Sequence, residues 1–91
     1  MVNVDEYVVR LKREVGRRIS DLRHARSWTQ EELAERADLS TRYVQLIERG
    51  QQNLTIETLA KMARTLSVSV DELLRKQRGR ATRPPPKKAR R

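Results

Sequence analysis

An all-α domain of five helices is the fold that this sequence predicts, and three observations predict it. Apolar residues recur at spacings of three and four, the signature of one buried helix face. Ser or Thr stands at four positions, Thr29, Ser40, Thr55 and Ser69, each just ahead of such a run, where a hydroxyl can cap a helix N-terminus. No stretch alternates apolar with polar residues long enough to make a strand.

Tyr7, Val8, Leu11, Val15, Ile19 and Leu22 line one face of a first helix over about residues 5–26, with Arg and Lys on its other side. Trp28 precedes the cap residue Thr29 and is placed to staple the first two helices together. Thr29-Gln30-Glu31-Glu32 has the spacing of a capping box: the Thr29 hydroxyl accepts from the Glu32 amide while the Glu32 carboxylate reaches back. Leu33, Ala34 and Ala37 carry a short second helix, 30–37. Asp38 interrupts the pattern, Ser40 caps again, and Val44 with Ile47 carry a third helix, 41–49, ending before Gly50. Gly50-Gln51-Gln52-Asn53 reads as a loop. Thr55 caps a fourth helix bearing Ile56, Leu59, Ala63 and Leu66. Ser69-Val70-Asp71-Glu72, a second capping box, starts a short fifth helix through Leu73 and Leu74.

The 91 residues allow one helical domain but not two packed ones. A core this small is marginal alone, which favours a partner subunit. The net charge of +9 has a definite location: nine Lys or Arg and no acid fall in residues 75–91, whereas residues 1–74 hold twelve basic and twelve acidic groups. Residues 76–91, with Pro84-Pro85-Pro86 and no apolar period, read as a disordered basic tail following a domain at 1–75. No apolar run is long enough to span a membrane, and the acidic start lacks the features of a signal peptide. The absence of Cys excludes disulfides and thiolate metal sites, and fits a reducing cytoplasm.

The helices at 30–37 and 41–49 have helix-turn-helix spacing. Small Ala34 lets the third helix cross close to the second, Val44 and Ile47 face the crossing, and Leu33 and Leu39 fill around it. The exposed side chains at the start of the third helix are then Thr41, Arg42, Gln45 and Tyr43. A helix presented this way fits a major groove about 12 Å wide, where Arg pairs with guanine and Gln with adenine. Tyr43 is suited equally to packing, a phosphate or a base.

With these residues placed, the sequence resembles the phage repressor, Cro and Xre family, the lambda-repressor-like fold, from Val15 to about Leu74. The resemblance rests on Val15-Gly16-Arg17-Arg18-Ile19 through Leu22-Arg23, Thr29-Gln30-Glu31-Glu32-Leu33-Ala34, and Ser40 to Gly50. It continues with Asn53 to Leu59, Ala63 to Val68, and Asp71 to Leu74. It implies that Thr41, Arg42 and Gln45 read bases and that Gln30 binds a backbone phosphate while bracing the recognition helix. Arg49, Gln52 and Asn53 match the region that grips phosphates after the third helix, and Ser40 is expected to be a further backbone contact. Arg23 and Glu48 match an ion pair between the first and third helices. Position 38 departs from the family pattern, with Asp where Gly is usual. The resemblance leans toward restriction–modification controllers and small regulators of mobile elements.

The expectation is therefore a cytoplasmic transcriptional regulator, repressing or autoregulating. It would bind a pseudo-palindromic double-stranded operator as a homodimer through the fourth and fifth helices. No membrane, small-molecule ligand, cofactor or metal is expected, and no catalytic residue is identified: His24 stands alone, and Glu31, Glu32 and Glu35 suit a helix first turn and a solvated face. The tail residues Arg78, Arg80 and Arg83 suit either a narrow minor groove or sequence-independent attraction to phosphates. The alternative from another class is an antitoxin-type interaction module that neutralises a partner toxin and binds its own promoter. RNA binding through the tail is a third.

Overall fold

Capping decides where each helix begins. The computed structural model describes residues 3–75, so the expected tail, with Arg78, Arg80 and Arg83, lies outside the described residues. The helices are α1 (Val4–Ala25), α2 (Gln30–Ala37), α3 (Thr41–Glu48), α4 (Ile56–Leu66) and α5 (Val70–Leu74), with no strand among the described residues. α1 starts one residue earlier than the apolar period suggests because Asn3 caps it, its Oδ1 accepting from the Asp5 amide at 2.7 Å. Thr29, Ser40, Thr55 and Ser69 cap the other four helices, and both expected capping boxes are closed.

The core is built from Val15 and Ile19 of α1, Leu33, Ala34 and Ala37 of α2, Val44 and Ile47 of α3, Met62, Ala63 and Leu66 of α4, and Leu73 of α5. The alanines of α2 let α3 approach closely. Trp28 packs at the edge of this core, with the Arg36 guanidinium over its ring at 4.4 Å. Arg26 donates to the Leu22 carbonyl and also to that of Leu66, tying the end of α1 to the end of α4. Four apolar positions of the expected faces are exposed rather than core: Tyr7 at 49%, Val8 at 38%, Ile56 at 82% and Leu74 at 41%. The first seven residues of α1, including Tyr7 and Val8, are all exposed.

Among the described residues, three non-glycine residues adopt the left-handed conformation at the helix ends, Ser27 (φ 59°), Asp38 (φ 60°) and Ser67 (φ 61°). At Asp38 this lets the chain turn from α2 into α3, the Leu39 amide bonding the Ala34 carbonyl at 2.9 Å. An L-residue there carries a steric cost that glycine lacks. Asp38→Gly is therefore expected to raise stability by about 0.5–1 kcal/mol, measurable as a higher urea midpoint. A lower midpoint would show that chain entropy outweighs the relief.

Candidate nucleic-acid interface

The orientation of α3 is set from its buried end. Glu48, its last residue, receives the Arg23 guanidinium of α1 through two bonds, Nε to Oε2 at 2.7 Å and Nη2 to Oε1 at 3.0 Å. The remaining Arg23 nitrogen, Nη1, donates to the Trp28 carbonyl at 2.7 Å. Gln30, the first residue of α2, donates its Nε2 to Glu48 Oε1 at 2.9 Å. One carboxylate thus joins three helices, and planar, bidentate pairing of this kind fixes angles as well as distances.

Two glycines allow the approach that the ion pair requires. A Cβ on Gly16 would lie 2.2 Å from the Ile47 carbonyl oxygen, so α1 and the end of α3 touch through their backbones. Gly50 has φ 73°, and a Cβ there would lie 2.9 Å from Arg13 Cα. It is a position where both the conformation and the space call for glycine. Both residues belong to the segments that carry the family resemblance, yet their packing role is tertiary. The signal in the sequence is Gly16 inside a helix, where glycine costs about 1 kcal/mol relative to alanine.

The other end of α3 faces outward. Ser40 caps it, accepting from the Tyr43 amide at 3.0 Å, while Thr41 is half-buried, Arg42 exposed and Gln45 half-buried. Arg42 forms no ion pair among the described residues. Tyr43 is half-buried, with its hydroxyl 3.2 Å from Thr58 Oγ1, and Thr58 is itself buried and bonded to Thr55. The ring therefore packs α3 against α4. After α3, Arg49 is exposed, Gln52 half-buried and Asn53 exposed, the last held by Lys12 Nζ at 3.1 Å from its Oδ1. Lys12 is a residue that sequence reasoning did not single out. Arg42 and Gln45 thus sit on the exposed side of a helix whose inner side, Val44 and Ile47, is core, with Arg49, Gln52 and Asn53 following at its end.

Among the described residues, no group of three or more His, Asp or Glu side chains is arranged to share a metal ion, and no helix is long and apolar enough to cross a membrane. His24 is exposed, its Nδ1 2.8 Å from the Ser20 carbonyl of its own helix.

A helix-turn-helix family model matches residues 19–73. The control protein C.SmaI of Serratia marcescens is 31% identical over 77 residues, covering 85% of this chain and 92% of that protein. Among solved structures, the restriction-modification controller protein C.AhdI of Aeromonas hydrophila superposes with a TM-score of 0.66 at 35% identity, covering 68% of this chain and 94% of that one. SinR of Bacillus subtilis, the master regulator for biofilm formation, solved in complex with DNA, gives a TM-score of 0.64 at 39% identity. That match covers 67% of this chain and 98% of the SinR chain.

Proposed function

Because the chain belongs to the Xre-type helix-turn-helix family of transcriptional regulators, we propose that it binds a pseudo-palindromic DNA operator as a homodimer and regulates transcription from it, its own promoter included. The observation that carries this reading is the lock on α3. One end is fixed by Arg23, Gln30 and Glu48. The other presents Arg42 and Gln45 without a competing ion pair. Fixed helix, free polar face: this is what reading base edges in a major groove requires. Thr41, Arg42 and Gln45 then contact bases, with Tyr43 at the margin of that surface because its hydroxyl is engaged by Thr58. Gln30, Ser40, Arg49, Gln52 and Asn53 contact the sugar–phosphate backbone.

Dimerisation through α4 and α5 is supported by the exposure of Ile56 and Leu74, two apolar side chains that the protomer's own core leaves uncovered. Such a dimer places its two recognition helices about 34 Å apart, one turn of DNA. Residues 1–75 form the DNA-binding domain in this reading. The eight positive charges of residues 76–91 add affinity that is indifferent to sequence and sensitive to salt. The protein acts on DNA in the cytoplasm.

The test is the Arg42→Ala variant on two duplexes, one enriched from a random library by the wild-type protein and one scrambled. We expect a loss of about 1–3 kcal/mol on the enriched site, with relaxed preference at one base pair per half-site, and little change on the scrambled duplex. An equal loss on both would remove Arg42 from the base-reading set.

A further inference from the structure

The segment of α1 that precedes the matched family region carries a charged face that the recognition helix does not account for. Arg10, Arg13 and Arg17 are all exposed. At 3.6 residues per turn they fall within an arc of about 60° and span about 10 Å of helix. The opposite side of the same segment is apolar: Leu11 and Val15 pack with Leu54 and Leu59, while Val8 lines an open groove with Leu74. That packing seats the segment against the loop after α3, α4 and α5, and leaves the arginine side open. None of the three arginines takes part in the ion pairs among the described residues, which are Arg23–Glu48 and Asp71–Arg75. Glu6, the acid within that arc, is in the first turn of α1, where the helix N-terminus favours a carboxylate.

The position of the stripe is set by Gly50. Arg13 crosses so close to it that a Cβ there would meet Arg13 Cα at 2.9 Å and Arg13 Cγ at 3.4 Å. Its chain neighbour Lys12 holds Asn53. The stripe therefore borders the loop carrying Arg49, Gln52 and Asn53. Unpaired guanidiniums in a row, beside a loop at the exit of the recognition helix, suit one ligand chemistry: the phosphodiester backbone.

We propose that Arg10, Arg13 and Arg17 form a second backbone-binding strip, continuing the phosphate contacts of the α3–α4 loop along the outside of α1. This rests on the DNA-binding reading above. The strip supplies affinity and orientation, and base preference stays with α3.

The test uses the full-length chain with Arg10, Arg13 and Arg17 replaced by Gln, a second variant with all three replaced by Lys, and Arg36→Gln as a charge control. Arg36 is exposed in the last turn of α2, outside the proposed DNA and dimer surfaces. Binding to the enriched site and to a scrambled duplex is followed by fluorescence anisotropy between about 50 and 200 mM salt. Each arginine–phosphate pair removed should flatten the slope of log affinity against log salt by about 0.9. That removes roughly a threefold change in affinity over the range, per arginine and per bound protomer. We expect this flattening on both duplexes for the Gln variant, a slope restored by Lys, and no change for Arg36→Gln. Base preference in the Gln variant should match the wild type.

Unchanged affinity and slope in the Gln variant would overturn the strip while leaving the regulator reading intact. So would a loss of affinity without flattening, accompanied by a lower melting temperature, since that marks damage to the fold. Failure of the wild-type protein to enrich any site from the library, with no binding to the scrambled duplex, would overturn both readings.

Discussion

Glu48→Ala is expected to bring the domain close to unfolding. The Glu48 side chain is 6% exposed and that of Arg23 is 10% exposed, with the carboxylate taking both guanidinium bonds and the Gln30 amide. Removing it leaves a guanidinium with its bond to the Trp28 carbonyl but no counter-charge in a site from which water is largely excluded. Breaking one side of such a pair costs about 3–5 kcal/mol, a large part of the roughly 5–15 kcal/mol that holds a native domain together. At about 4–8 °C per kcal/mol for a domain of this size, the melting temperature should fall by tens of degrees. Circular dichroism and the fluorescence of Trp28, the single tryptophan, would follow the same transition. The double variant Arg23→Met with Glu48→Leu separates the causes: replacing both charges by apolar groups should cost less than either single change. A loss under about 1 kcal/mol for Glu48→Ala would instead mark the pair as solvated.

Gly16→Ala should produce the second-largest effect, and its sign is diagnostic. In an open helix interior, alanine in place of glycine stabilises by about 1 kcal/mol. Here the added carbon would lie 2.2 Å from the Ile47 carbonyl oxygen and 3.1 Å from that of Glu48. Those are backbone atoms and cannot rotate aside, so α1 and α3 must separate. Overpacking of this kind costs typically about 1–3 kcal/mol and at times more. The crowding is severe enough that we expect a net loss of about 2 kcal/mol, even after the gain in helix propensity. The separation would also stretch the Arg23–Glu48 pair, so operator affinity should fall with stability. A rise in the urea midpoint would show that the two helices do not meet at this glycine.

These two positions illustrate what could be read from the sequence. The helix starts were legible because their chemistry is local: Thr29 with Glu32 and Ser69 with Glu72 are hydrogen-bonding pairs three residues apart, and both close. The core of α2 and α3 was legible because Leu33, Ala34, Ala37, Val44 and Ile47 carry a single helical period. The start of α1 was less so, since its cap, Asn3, precedes the apolar run. Apolar periodicity also cannot tell which members of a face the rest of the chain will cover. Ile56, at the first position of α4, remains exposed, whereas Met62, outside the apolar set first read for that helix, is fully buried.

The candidate site was legible in part for the same reason. Thr41, Arg42 and Gln45 follow from which side of α3 is apolar. Whether Tyr43 turns outward depends on Thr58, fifteen residues on, and no local pattern encodes that hydrogen bond. The arginines of α1 were visible only as the polar side of an amphipathic helix. Their place beside the α3–α4 loop comes from the close approach of Arg13 and Gly50, a meeting of two distant segments.

In the proposed complex α3, held by Glu48 and presented twice in a symmetric dimer, reads a defined DNA sequence. Selection from a random-sequence duplex library by the purified protein, at near-physiological salt, tests this most directly. The expected result is enrichment of one pseudo-palindrome whose half-sites are centred about one helical turn apart, roughly 10–10.5 base pairs. Recovery of only AT-rich or unselected duplex would contradict it, and would leave the positive charge of residues 76–91 as the source of whatever affinity remains.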